Sequence, residues 1–365
     1  MVAYTKKRVL LLLTGGTIAG NVAKSDAIKY DTPEPDDFLS IVNDSIRIFK
    51  RNWAIEMESK IVELFNVDSS DMQPSNWTLL VEKIVEFYDD FDAFIILHGT
   101  NTMGYTGAAL SFALENINKP VILTGAQVPL GYLGSDATTN LVNSLRLAVW
   151  WYHPIKGVMC VFGSKIISGT RIKKGTDFDY DPFKSFITGT LGDIGRFIRI
   201  YEPALDKHNS YLSKAAPLAT LAKDLSVKKD FDTSEIASLT EFPGMSVNLF
   251  QSLVEHDHIK AFIFRSFGAG DPSSHLFPAF EYLKAKKIPI VVTTQAPNGV
   301  ASFQVNAWGK ALKDGDLAIP AYDMSIESIT AKLSRLISQR CTYEEIKQKM
   351  LEDLHGEIYI ENELI

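Results

Sequence analysis

Apolar runs and amphipathic stretches alternate along this chain. The run RVLLLL (8–13) is continuously apolar after its first residue, which predicts a strand buried on both faces. AFIILH (93–98), PVILTG (120–125) and GVMCVFG (157–163) predict further strands of the same kind. Between them, Trp77 to Tyr88 sets Trp77, Leu80, Val81, Ile84, Val85 and Tyr88 on one helical face, behind the cap candidates Ser75 and Asn76. Thr139 to Trp151 predicts another helix. Near-continuous apolar strands separated by helices mean a mostly parallel sheet covered on both faces.

From about Leu191 to Glu235 the pattern lapses. KHNSYLSKAAP and SVKKDFDTSE are polar and irregular, as a linker is. Alternation resumes with IKAFIFRSFG (259–268) as strand and turn, Phe277 to Lys286 as helix and IPIVVTT (288–294) as strand. Met324 to Gln339 and Thr342 to Leu351 predict closing helices. The expected class is therefore α/β. A larger N-terminal domain (1–195) with a mostly parallel sheet is followed by a linker (196–236) and a smaller C-terminal α/β domain (237–365). At about 100–200 residues per domain, a chain of 365 residues accommodates both.

A net charge of −7 and a pI near 5.6 disfavour nucleic acid or an anionic membrane as partner, since either wants a basic patch. A small-molecule substrate remains open. Cys160 and Cys341 are the only cysteines, so no disulfide framework is expected and a reducing compartment fits. Lys6-Lys7-Arg8 ahead of an apolar run resembles a secretory signal, but Val9 to Leu13 spans five residues where a signal core needs about 7–15. No run reaches the ~20 apolar residues of a membrane span. A cytoplasmic location is expected.

The chemistry sits where strands end, because ligands of open parallel sheets bind beyond the carboxyl ends of the strands. After the first strand comes TGGTIAG (14–20), whose glycines allow a sharp turn and leave Thr17 beside a ligand. It matches neither GxGxxG nor GxxxxGK[ST], the phosphate-cradling patterns. After the second comes HGTNTM (98–103), with Thr100 in a second glycine turn. A threonine hydroxyl is a weak nucleophile unless a base takes its proton. The segment 165–174 offers lysines after the fourth strand, and a desolvated lysine can lose its proton; composition alone makes it a solvated basic loop. His98 reads as a structural hydrogen-bonding residue. His256-Asp257-His258 reads as an exposed turn, so no metal and no cofactor is expected.

TGGTIAG, DSSDM (68–72), HGTNTM, LTGAQVP (123–129), SDATTNL (135–141), RSFGAG (265–270) and DMSIESITAKL (323–333) resemble, in order, the motif series of the bacterial L-asparaginases, above all the cytoplasmic type I enzymes. The likeness runs from Val9 to about Gln339. It implies two α/β domains, assembly as a homodimer or homotetramer, and active sites formed between one subunit's N-terminal domain and its partner's C-terminal domain. It implies hydrolysis of the side-chain amide of asparagine, with Thr17 as nucleophile and Tyr30 as the lid tyrosine that orients it. Ser69 and Ser70 would hold the substrate's α-carboxylate and main-chain atoms. Thr100 would be the second catalytic threonine, Lys174 its lysine, and Ala126 the residue whose carbonyl receives the amide nitrogen. Within the same fold, a glutaminase component of a tRNA-dependent amidotransferase ranks lower for want of a basic run for tRNA.

The sequence departs from the family at two places. Asn101 stands where the family has the aspartate that binds the substrate's α-ammonium and completes a Thr-Lys-Asp triad. Losing such a charge-assisted contact costs about 1.5–3 kcal/mol. Asn101 is open to three readings: an engineered substitution that quiets the enzyme so that a ligand can be trapped, natural divergence toward an amide without a free α-amino group, or a binder or sensor that has lost catalysis. Glutamine is expected as a lesser or altered substrate beside asparagine. Asp271 stands where related type I sequences have asparagine, and its carboxylate is the expected replacement for the charge missing at position 101.

Overall fold

The computed structural model describes residues 5–16, 35–150, 152–214 and 216–360. The chain divides into two compact units, the first ending at Lys229 and the second beginning at Asp230.

The first unit runs β1 (Thr5–Leu13), α1 (Pro35–Trp53), β2 (Ile55–Glu63), α2 (Pro74–Glu86), β3 (Ala93–Leu97), α3 (Met103–Ala113), β4 (Pro120–Thr124), α4 (Ala137–Ala148) and β5 (Gly157–Phe162). It continues with β6 (Lys165–Ser168), β7 (Ile172–Lys174), β8 (Phe183–Ser185), β9 (Gly192–Ile194), β10 (Ile198–Ile200) and α5 (Glu202–Tyr211). Among the described residues one sheet has the order β10-β9-β6-β5-β4-β3-β1-β2, and β7 pairs with β8 apart from it. Strands β2, β1, β3, β4 and β5 are mutually parallel; β6, β9 and β10 add on antiparallel. Strands β3 and β5 are buried at every position, the state that their unbroken apolar runs require in a doubly covered parallel sheet.

Several elements go beyond the periodicity. Helix α3 is buried everywhere except Tyr105, so it carries no polar stripe to mark it as a helix. The stretch expected as a basic loop is instead a strand (β6), a short 3-10 turn (Gly169–Arg171) and a second strand (β7), with Arg171 buried. Between 196 and 236, where a linker is expected, lie β10 and α5. Helix α5 is held down by buried Leu205, His208 and Tyr211. His208 bonds the Lys156 carbonyl through Nε2 (3.0 Å) and Ser168 Oγ through Nδ1 (3.2 Å). The polar surface of that segment hides a sparse inner face.

The second unit runs β11 (Ile236–Thr240), α6 (Asn248–His256), β12 (Ala261–Ser266), α7 (Phe277–Ala285), β13 (Ile290–Thr294), α8 (Ala307–Asp314), β14 (Ile319–Pro320), α9 (Ile326–Ser338) and α10 (Tyr343–Met350). Its strands form a parallel sheet of order β11-β12-β13-β14. Alternate residues of β12 and β13 feed opposite cores: Phe262, Phe264 and Val292 join one, Ala261, Ile263 and Val291 the other, as the two-residue period of a strand demands. His256 ends α6 and Asp257 and His258 follow it, all three exposed. Among the described residues no helix is long and apolar enough to cross a membrane, and no His, Cys, Asp and Glu cluster is placed to hold a metal.

Candidate active site

Strands β1 and β3 are parallel neighbours, with Leu13 opposite Leu97. Their carboxyl ends therefore deliver the turns 14–16 and 98–102 side by side. Thr14 locks the first to the second, its N–H and Oγ1 both donating to the Leu97 carbonyl (3.1 and 2.9 Å). Two glycines make the approach possible. Gly16, at φ +79°, lies so close that a Cβ on it would stand 2.5 Å from Gly99 Cα; a Cβ on Gly99 would stand 2.5 Å from Ser69 Oγ. Both distances are below any normal contact, so segments 14–16 and 98–102 meet backbone to backbone, and the Ser69 side chain packs on Gly99, only because side chains are absent at Gly16 and Gly99.

At this junction the described site residues come together. Asp68 caps the turn Ser69–Asp71 by accepting from Ser70 N (2.7 Å). Ser69 Oγ accepts from Asn101 N (3.1 Å), and the Ser69 carbonyl from Thr102 Oγ1 (2.6 Å). Asn101 Nδ2 donates to Ser70 Oγ (3.0 Å). Lys174 Nζ donates to Thr100 Oγ1 (2.8 Å) and to Asn101 Oδ1 (2.9 Å). The lysine arrives from the end of β7, and glycines bring that segment onto α3. A Cβ on Gly107 would stand 2.4 Å from Ile172 Cδ1, and one on Gly169 2.4 Å from Ser111 Oγ.

The electrostatics follow from these partners. Burial lowers the Lys174 pKa from its ordinary value; Asp177 and then Asp68 oppose that through space. A lowered lysine pKa is what a proton-accepting amine needs. His98 is wholly buried, and burial depresses its pKa to about 4 against a smaller opposing contribution from its bond to the Gly99 carbonyl. Nδ1 meets that carbonyl at 2.6 Å and Nε2 meets Thr106 Oγ1 at 2.9 Å, which in turn accepts from Trp77 Nε1 at 3.1 Å. With both ring nitrogens engaged, the imidazole stiffens the turn beneath Thr100, the structural role expected of it. Ala126 is buried. Its turn is pinned by Asp136, whose carboxylate accepts from Gln127 N and Val128 N (2.9–3.0 Å).

Thr17 and Tyr30 lie outside the described residues. Asp271 belongs to the second unit. There its Oδ2 accepts from Ala269 N (3.3 Å), while Oδ1 is buried with no hydrogen-bond partner among the described residues. A Cβ on Gly309, in the first turn of α8, would stand 2.8 Å from that oxygen, so the carboxylate faces the electropositive start of a helix. Sequence reasoning passed over Asp68, Thr102 and Asp136. The first was legible as an Asp-Ser turn cap; the other two act through backbone contacts that no spacing rule announces.

Known proteins resemble this chain in sequence and in fold. The family model described as "Asparaginase, N-terminal" matches residues 8–205, and "Glutaminase/Asparaginase C-terminal domain" matches 235–350. L-asparaginase 1 of Escherichia coli (strain K12) is 34% identical over 294 residues, 80% of this chain and 82% of the relative. A glutamyl-tRNA(Gln) amidotransferase component of Methanococcus maripaludis is 27% identical over 360 residues, covering 96% of this chain and 81% of that one. The solved L-asparaginase of Thermococcus kodakarensis superposes with a TM-score of 0.80 at 27% identity, over 97% of this chain and all of that one. With both of its units matched and the glycine-turn site assembled, this chain belongs to the asparaginase family and is an amidohydrolase.

Proposed function

We propose that the chain hydrolyses the side-chain amide of L-asparagine to L-aspartate and ammonia, with Thr17 as nucleophile. The observation that carries this reading is the Lys174–Thr100 hydrogen bond of 2.8 Å, set at a glycine turn in backbone contact with Gly16, the residue before Thr17. Attack of the Thr17 hydroxyl on the amide carbon breaks the C–N bond. The proton released by the nucleophile is delivered to the departing nitrogen, which leaves as ammonia. Water then adds to the Thr17 ester carbonyl, the bond to the Thr17 oxygen breaks as that oxygen regains a proton, and aspartate is released. Lys174 and Thr100 handle a proton in that sequence, since a hydroxyl joined to a desolvated amine can pass one on. Ser69 and Ser70 bind the substrate's carboxylate and main-chain atoms, the Ala126 carbonyl receives the amide nitrogen, and Tyr30 orients Thr17. No metal or cofactor enters this scheme.

The same reading carries a cytoplasmic homodimer or homotetramer, which light scattering on the purified protein tests. Ammonia release with L-asparagine, L-glutamine and D-asparagine tests the activity. Release from L-asparagine that Thr17→Ala abolishes supports the assignment; release that survives Thr17→Ala overturns the nucleophile.

A second reading rests on Asn101, whose neutral side chain occupies the centre of the cluster, and on the amidotransferase relative. It makes the chain a glutaminase-type hydrolase, or a binding protein that retains the pocket and releases little ammonia. Asp271 is a candidate for the charge absent at 101, and Asp271→Asn should then weaken binding of substrates bearing an ammonium.

A further inference from the structure

Lys174 fixes the orientation of the Asn101 amide. An ammonium has donors only, so the Asn101 oxygen turns to Lys174 Nζ (2.9 Å) and the Asn101 nitrogen is left to donate to Ser70 Oγ (3.0 Å). The consequence falls on Ser70. Its oxygen accepts from Asn101, so its own proton points elsewhere, and among the described residues it meets no acceptor. A carboxylate at position 101 would do the opposite, taking the Ser70 proton and offering anionic oxygens to the pocket. Both Asn101 and Ser70 are exposed at this face. What they present is therefore a hydroxyl donor, the second amide N–H and a neighbouring lysine.

Among the described residues no carboxylate is hydrogen-bonded to a side chain of the cluster. Asp68 is tied to it by Ser70 N (2.7 Å), and Asp177 acts on Lys174 only through space. A substrate ammonium placed at Asn101 would meet a donor in place of an acceptor and would lie close to the Lys174 cation. An acceptor or an anion placed there would be bonded.

We infer that Asn101 and Ser70 make this a hydrolase for carboxylate-bearing side-chain amides whose α-position carries no ammonium, such as succinamate or α-N-acylated asparagine, with free asparagine the poorer substrate. The inference rests on the amidohydrolase reading of the site and names its substrate class. The discrimination belongs to binding and appears in KM, because the α-substituent takes no part in the chemistry. The loss of one charge-assisted contact amounts to about ten- to a hundredfold.

The test compares kcat and KM for succinamate and L-asparagine, which differ by the α-amino group alone, in the protein as it stands and in Asn101→Asp. The expected result is a kcat/KM for succinamate at least equal to that for L-asparagine. In Asn101→Asp the preference should reverse by about tenfold or more, through KM. A protein that favours L-asparagine by about tenfold, with a ratio that Asn101→Asp moves less than about threefold, overturns the inference and moves the ammonium's partner to another acid, Asp68 or Asp271. If neither amide is turned over, the hydrolase reading fails instead. Calorimetric titration of Thr17→Ala with the same two ligands then still decides the selectivity: tighter succinamate binding upholds it and tighter asparagine binding overturns it.

Discussion

Lys174 reaches the Thr100 hydroxyl at 2.8 Å across 74 residues of chain. In the proposed mechanism this is a proton-transfer pair, sensitive to whichever group shares the lysine, here the uncharged Asn101. On that mechanism the ammonium that holds Asn101 must lose a proton before it can take one from Thr100, so activity should rise with pH through the Lys174 pKa, which burial holds below its ordinary 10.5. A carboxylate beside it would favour the ammonium and push that pKa up. Asn101→Asp should therefore shift the rising limb of the kcat profile to higher pH, and Lys174→Met should remove about 10²–10⁴ of kcat. A rising limb that stays in place in Asn101→Asp would show that Lys174 is not the titrating group.

Thr106 sits between two buried rings, accepting from Trp77 Nε1 and donating to His98 Nε2. Thr106→Val keeps the shape and removes both the acceptor of Trp77 Nε1 and the donor to His98 Nε2, at a cost of about 1–3 kcal/mol for the buried imidazole nitrogen left unpaired. Urea unfolding measures it.

His98 also makes stability depend on pH. Its folded pKa of about 4 lies below the ordinary 6.5, so the unfolded chain binds the proton first. Stability from this group is complete above about pH 6.5 and drains away as pH falls toward 4, by about 3 kcal/mol in all. His208, lowered in the same direction by burial, adds to the slope. Unfolding midpoints between pH 7 and 4 read the effect, and His98→Asn should flatten it.

The strands β1, β3, β4 and β5 were legible because burial on both faces leaves an unbroken apolar word in the sequence. Helix α3 was not, for the same physical reason: buried all round, it has no polar face to give it a period. Helix α1 did carry a period, with Val42 and Phe49 in the core and Phe38, Ile41 and Ile46 against it, and it went unread. The candidate site was named in its parts through family resemblance, and Thr100, Asn101, Ser69, Ser70 and Lys174 lie within hydrogen-bond reach of one another. What no motif could disclose was the wiring among them. Which side of Asn101 faces Lys174 depends on donors and acceptors that come together only in the fold.

In the second unit, Lys332 and Glu357 form an ion pair at 2.6 Å with side chains 1% and 0% exposed. Lys332 also donates to the Met350 carbonyl, and Glu357 accepts from His355 N, so the pair ties the chain beyond α10 back onto α9. Removing one partner leaves a buried charge unpaired and costs about 3–5 kcal/mol. Lys332→Met should lower the unfolding free energy by that amount. Lys332→Met with Glu357→Gln should recover part of it, because the second change removes the stranded charge.

Gly99 separates the requirements of fold and of chemistry. A methyl group there would stand 2.5 Å from Ser69 Oγ and 2.6 Å from Ser69 Cβ, so Gly99→Ala must displace Ser69 or the turn bearing Thr100. Overpacking of this order costs about 1–3 kcal/mol, a loss that a large, well-buried unit survives. The site does not absorb it as easily, because Ser69 accepts from both Asn101 N and Thr102 Oγ1 and an ångström of misplacement at a reacting group costs on the order of a hundredfold. Gly99→Ala should therefore stay folded by circular dichroism and lose kcat/KM by about that factor. Gly189→Ala, with nothing within 4 Å of the added carbon, is the matched control and should keep its rate. Equal activity in the two variants would mean that the 98–102 turn does not carry the reacting groups.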